Sequence, residues 1–149
     1  MNNLLNVSDV AAITSRIDNL TAGSQRQWGK MTVAQMLAHC TAALRVANDE
    51  THPPRIFIGR ILAPFIRKTF FDETPFPKNT PTDKSFIVTD QRDFDNEKKI
   101  LKEQINKFCT GGEAGVTKHP HSFVGRLTPQ QWSIGMYKHL DHHLRQFGV

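Results

Sequence analysis

The sequence predicts an all-α helical bundle, and three observations carry that expectation. Helix start signals recur along the chain, apolar residues follow helical rather than alternating spacing, and connections join the periodic stretches without strand runs between them. Ser85–Thr89 is the one serious strand candidate, and five residues cannot support a sheet alone.

The elements read in order as follows. Ser8 or Asp9 caps a short first helix running to about Leu20, where Thr21-Ala-Gly-Ser breaks it. Thr32 and Gln35 have the spacing of a capping box and introduce a helix through about Asn48, which His52-Pro53-Pro54 closes. A third helix, about Ile56 to Phe70, contains Pro64, which removes a backbone donor and kinks it. Residues 72–84 are polar and Pro-rich and read as a long connection. A fourth helix runs from about Asp93 through Lys107, with Gly111-Gly112 as its stop. The last begins at Thr128-Pro129-Gln130-Gln131, where a cap, an N1 proline and an N3 glutamine coincide, and ends at Phe147-Gly148.

The 149 residues make one domain, 1–149, and 38% hydrophobic residues are enough to bury a core without disulfides or a structural metal. No apolar run approaches the roughly 20 residues needed to span a bilayer, and the N-terminus lacks a basic region followed by an apolar one. A soluble, non-exported protein without a membrane partner is therefore expected. Cys40 and Cys109 stand far apart in no C-x-x-C pattern, which suits a reducing cytoplasm and argues against a thiolate metal site. The net charge of +5, from 19 Lys plus Arg against 14 Asp plus Glu, is a modest excess. Its densest stretch, Arg55 to Lys68, places Arg60 and Arg67 on one side of a helix. Two arginines do not make a nucleic-acid-binding stripe, and the apolar side of this segment is expected to face the core rather than a membrane surface. No glycine-rich phosphate loop is present, since Gly111 to Gly115 lacks the flanking strand and the Lys-Ser/Thr pair.

The chemistry is therefore sought among the seven histidines. Advancing about 100° per residue from Trp132, the residues Met136, Leu140, Leu144 and Phe147 define an apolar face centred near 60°. His143 falls inside that face at about 20° and His139 on its edge at about −20°, one turn apart at i, i+4. His142, at about −80°, points outward with Lys138 and Arg145. Two imidazoles at this spacing place their nitrogens on one divalent cation, or else are packed or solvated histidines. His39 lies roughly 100° from the centre of the apolar face of its own helix, which suits either a partly exposed residue or one reaching an interhelical cleft. His119 and His121 have a turn role by default and are otherwise candidates for a site mouth. Trp28 and Trp132 read as core anchors at helix entries, Cys40 as an apolar filler, and Asp141 as facing away from the histidine pair. Tyr137 lies roughly 80° from the apolar centre, so its hydroxyl is free to reach solvent or a partner chain, and neither is favoured.

Two segments resemble a known family. Trp28-Gly-Lys-Met-Thr-Val-Ala-Gln-Met-Leu-Ala-His39 looks like the tryptophan, capped helix and single histidine of DinB-like (YfiT-like) proteins. His139-Leu-Asp-His-His143-Leu-Arg-Gln146-Phe147 resembles their terminal H-x-x-x-H-x-x-Q-apolar motif, and the longer run from His121 to Gly148 is similar to a subfamily classed as a domain of unknown function. The resemblance implies a four-helix bundle of DinB-like type with a short additional helix, forming a homodimer. It also implies a divalent metal, zinc or nickel, on His39, His139 and His143; His142 matches no ligand position. Such a site leaves positions open for water or substrate, as catalytic zinc sites do. The expectation that follows is a metal-dependent transferase or hydrolase acting on a small molecule through an activated thiol or water. No side chain stands out as its general base. The competing reading is a non-catalytic bundle, of stress-response or ligand-binding type, whose histidines support no turnover. Nucleic-acid binding ranks third.

Overall fold

The computed structural model describes residues 1–72, 74–80 and 82–149, with residues 58, 60, 62, 65, 68 and 69 described in their backbone alone. Among the described residues there are five α-helices: α1 (Val7–Asp18), α2 (Val33–Ala47), α3 (Phe57–Phe71), α4 (Phe94–Gly111) and α5 (Pro129–Gln146). The sequence-predicted helices are all present, with ends shifted by one to four residues. At α1 the cap is Asn6, two or three residues ahead of expectation, because its side chain accepts the Ser8 and Asp9 amides. Asp9 instead accepts the Asn3 amide at 2.9 Å. At α4, Asp93, where the helix is expected to start, caps it through the Asn96 amide, and the helix continues to Gly111 before Gly112, at φ +58°, ends it. Both capping boxes form: Thr32 with Gln35 at α2, and Thr128 with Gln131 at α5.

The bundle proper is α1, α2, α4 and α5, arranged so that α2 packs on α4 and α5, and α1 closes the ring against the same two helices. Each contributes a stripe at helical spacing. Ile13 and Ile17 come from α1, and Met36, Leu37, Cys40 and Leu44 from α2. Leu101, Ile105 and Phe108 come from α4, and Trp132, Met136, Leu140 and Leu144 from α5; all are at most 3% exposed. At about 1.5–3 kcal/mol for each large aliphatic side chain removed from water, this single core accounts for the domain's cohesion. Leu4, fully buried, is carried over the end of α5 by amide bonds from Leu4 and Leu5 to Ser133.

The additional helix is α3, whose helical partner is α5. Two glycines let it approach. A Cβ on Gly59 would come within 2.8 Å of the Phe123 Cα, and one on Gly135 would overlap the Phe70 ring. The apolar side of α3 does not face the core as a whole. Gly59 and Phe70 are buried, while Phe57 and Ile61 are 74% and 59% exposed, because among the described residues α5 is the one helix that packs on α3. Arg67 donates to the Val124 and Arg126 carbonyls; the Arg60 side chain expected beside it lies outside the described residues.

The Pro-rich connection, of which Glu73 and Pro81 lie outside the described residues, runs along the outer side of α5. Asp72 meets Lys138 at 3.1 Å, Phe76 packs on Phe70, and the Lys78 ammonium lies 4.5 Å above the Trp28 ring. Ser85–Thr89 forms no strand: Lys84–Phe86 is a 3₁₀ turn capped by Asp83, followed by extended residues without a ladder. Among the described residues the one β-type pairing is the isolated bridge between His121 and Gly125. No described helix is long and apolar enough to cross a membrane.

Candidate metal centre

His39 is presented by the middle of α2, and His139 and His143 by successive turns of α5. The three rings meet in the seam between these helices. Centroid separations are 5.0 Å (His39–His139), 4.8 Å (His39–His143) and 4.7 Å (His139–His143), and one ligand nitrogen from each lies within 4.8 Å of the others. His39, expected at the flank of its helix, is 4% exposed; His143 is 8% exposed and His139 half-buried.

The hydrogen-bond network fixes which nitrogens face inward. The Nδ1 of His39 lies 2.9 Å from the Phe86 carbonyl, which only accepts, so Nδ1 carries the hydrogen and Nε2 a lone pair. The Nδ1 of His143 lies 2.9 Å from the Gln146 Oε1, and the Gln146 Nε2 donates to the Trp28 carbonyl at 2.8 Å. That second bond orients the amide, so Oε1 accepts from His143 and leaves its Nε2 as a lone pair too. The Nε2 of His39 stands 3.0 Å from that of His139. Two imidazoles of the cluster thus face the seam with unprotonated nitrogens, each anchored from behind as metal-bound histidines commonly are.

Electrostatically the cluster favours neutral rings. Burial pushes His143 down to about 3 and drives His139 well below the usual histidine range, and the neighbouring imidazoles reinforce both shifts. His39 is lowered by burial, partly offset by the Phe86 carbonyl. No carboxylate accompanies the three residues in the group of close potential ligands. Neutral imidazole is the form that binds metal.

The other histidines separate differently from the sequence expectation. His142 does not point freely outward: its ring packs 5.7 Å from Trp28 and 6.1 Å from Phe76, and burial lowers its pKa. Lys138, expected outside with it, is 9% exposed and bonded to Asp72. In both cases the connection after α3 covers a face that helical phasing marks as exterior. Trp28 is correspondingly half-buried between His142 and Lys78, not a core anchor, whereas Trp132 is 1% exposed as expected. His121 packs on Trp132 and Phe70, and its Nδ1 accepts the Phe123 amide at 3.1 Å; burial lowers it to about 4. His119 bonds the Pro53 carbonyl and His52 pairs with Asp49, so neither joins the cluster. Tyr137 accepts from Asn2. Asp141 pairs with Arg16 and Arg145, away from the histidines, and Cys40 is buried in the core with its thiol pKa raised. Sequence reasoning missed the roles of Gln146 and of the Phe86 carbonyl. Gln146 lies at about −40° on the α5 wheel, close to His139, so its phase was a usable signal; the carbonyl left none.

The model of a protein family described as "Protein of unknown function (DUF1569)" matches residues 1–148. The chain belongs to that family. The DUF1569 match spans both α2 and α5, so all three clustered histidines and Gln146 lie inside it. Comparison of this DUF1569 chain with curated proteins and with solved structures gives no match.

Proposed function

We propose that this chain is a metal-dependent enzyme of DinB-like type that acts on a small molecule as a transferase or hydrolase, with His39, His139 and His143 as ligands of a divalent cation, zinc or nickel. The observation that carries the reading is the convergence of three imidazole nitrogens within 4.8 Å, two of them held unprotonated by bonds from behind. The donor set fits the cation. Two nitrogens about 2.0–2.1 Å from one ion in the tetrahedral geometry usual for zinc stand roughly 3.4 Å apart; the His39–His139 nitrogens are 3.0 Å apart, and small ring shifts would seat an ion among the three. All-nitrogen donors suit zinc and nickel better than calcium or magnesium.

With His39, His139 and His143 as its holders, such a cation would leave positions for water or a thiol, whose pKa it would lower towards neutrality, and would polarise an electrophile. The chain's own contribution is to hold the imidazoles neutral and oriented, with Phe86 and Gln146 behind them. The proposal includes a homodimer in the cytoplasm.

One observation favours the non-catalytic reading: the His39 and His139 rings already satisfy one another, and among the described residues the group of close potential ligands holds no carboxylate or cysteine. Metal analysis of protein purified without a histidine tag tests the metal half of the reading. One equivalent of zinc or nickel after reconstitution, lost in His143→Ala, supports the enzyme. Absence of metal, or unchanged metal content in His143→Ala, retires it.

A further inference from the structure

We infer that Gln146 is the positioning residue of the histidine cluster: it locks the His143 imidazole in the tautomer and orientation that present Nε2 to a divalent cation. The inference rests on the metal-centre reading above and assigns a role to the one polar residue that the terminal motif carries besides its histidines.

Gln146 is the last residue of α5 and is 4% exposed, a depth at which an amide persists only when its hydrogen bonds are made. Both ends of the amide are bonded, and each bond constrains the next. The Nε2 donates to the Trp28 carbonyl at 2.8 Å. Because that carbonyl has no hydrogen to give, the amide cannot flip, and Oε1 is committed to the His143 Nδ1 at 2.9 Å. An amide oxygen only accepts, so the imidazole hydrogen is held on Nδ1. The backbone is tied to the same segment: the Gln146 carbonyl, one of the orphans at a helix C-terminus, accepts the Gln27 amide at 2.7 Å. Gly29, at φ +80°, completes the seat, since a Cβ there would collide with the Gln146 Nε2. The residue therefore carries orientation from the segment 27–29 to the imidazole, as the partners behind metal-bound histidines do elsewhere.

A purely structural glutamine would make many of the same contacts, and two substitutions separate the roles. Gln146→Met keeps the length and removes both bonds, whereas Gln146→Glu loses the donation to Trp28 but retains an oxygen for the His143 Nδ1. Both variants are expected to lower the Tm of the metal-free full-length protein by similar amounts. Zinc affinity, measured by competition with a chromophoric chelator, is expected to fall about 10–100-fold in Gln146→Met. In Gln146→Glu it should stay within tenfold of the native value or exceed it. Native affinity in Gln146→Met, or losses in both variants that follow Tm, would overturn the assignment. Zinc binding by the native chain that survives in His143→Ala, or no zinc binding at all, would remove the metal reading and this inference together.

Discussion

His39 and His139 face each other through Nε2 atoms 3.0 Å apart. Since the His39 hydrogen is committed to the Phe86 carbonyl on the opposite side of the ring, the hydrogen between the two rings belongs to His139. A cation bound at the cluster replaces that contact. Binding to the folded chain alone stabilises it by about 2.7 kcal/mol at a free concentration 100 times Kd. For a domain of this size that raises Tm by roughly 5–10 °C. Thermal unfolding with added zinc should show this increase, excess EDTA should reverse it, and His139→Ala should abolish it. A native Tm indifferent to zinc, nickel and EDTA would show that the cluster binds neither ion.

Gly135 sets the distance between α5 and α3. The Phe70 ring occupies the space a side chain at 135 would need, and Phe71, Phe76 and His121 crowd that ring, so it has nowhere to move. Gly135→Ala is expected to cost about 1–3 kcal/mol in urea unfolding, the range for overpacking, despite alanine's better helix propensity. Combining it with Phe70→Leu should cost less than the sum of the two single changes. Strict additivity would mean that the two residues do not touch.

Thr32→Ala removes the cap of the helix that presents His39. The Thr32 hydroxyl accepts the Gln35 amide at 3.2 Å, and the Gln35 oxygen accepts the Thr32 amide at 2.9 Å. The loss should be about 1 kcal/mol, and zinc stoichiometry should not change, because Leu37, Cys40 and Leu44 still seat the helix in the core. Equilibrium unfolding and metal titration of one preparation test both halves.

These examples also show how far local sequence reaches. Both capping boxes and the apolar stripes of α2, α4 and α5 depend on residues within a few positions of one another, and they are readable directly. The pairing of His139 with His143 follows from helical pitch. That His39 meets them does not, because the phase on α2 leaves it at the edge of the apolar face and the contact depends on how two helices cross. His142, Lys138 and Trp28 were misplaced for a related reason. Their surroundings are set by Asp72, Phe76 and Lys78 in a connection whose course no periodicity reports. The exposed Phe57 and Ile61 of α3 make the same point: an apolar stripe specifies a buried face only where a partner is present.

Acid should destabilise the protein early. His121 is held at about 4 and His143 at about 3, against an ordinary value of 6.5, and His39 and His139 are also lowered. Between 6.5 and those values the unfolded chain binds protons that the folded chain does not, so stability is full above about pH 7 and falls as pH drops through this window. The slope is about 1.4 kcal/mol per pH unit for each histidine that stays neutral in the fold. The paired carboxylates Asp18, Asp49, Glu50 and Asp72, also held low, act in the same direction, but only beneath their own lower ordinary values. Urea unfolding at pH 7.5, 6.0 and 5.0, with EDTA in excess so that protons do not compete with metal, isolates the histidine contribution. His121→Phe, which removes one buried base outside the cluster, should reduce the loss between pH 7.5 and 5.0 by about 2 kcal/mol. Equal native stability at pH 7.5 and 5.0 would contradict the burial of these imidazoles in their neutral form.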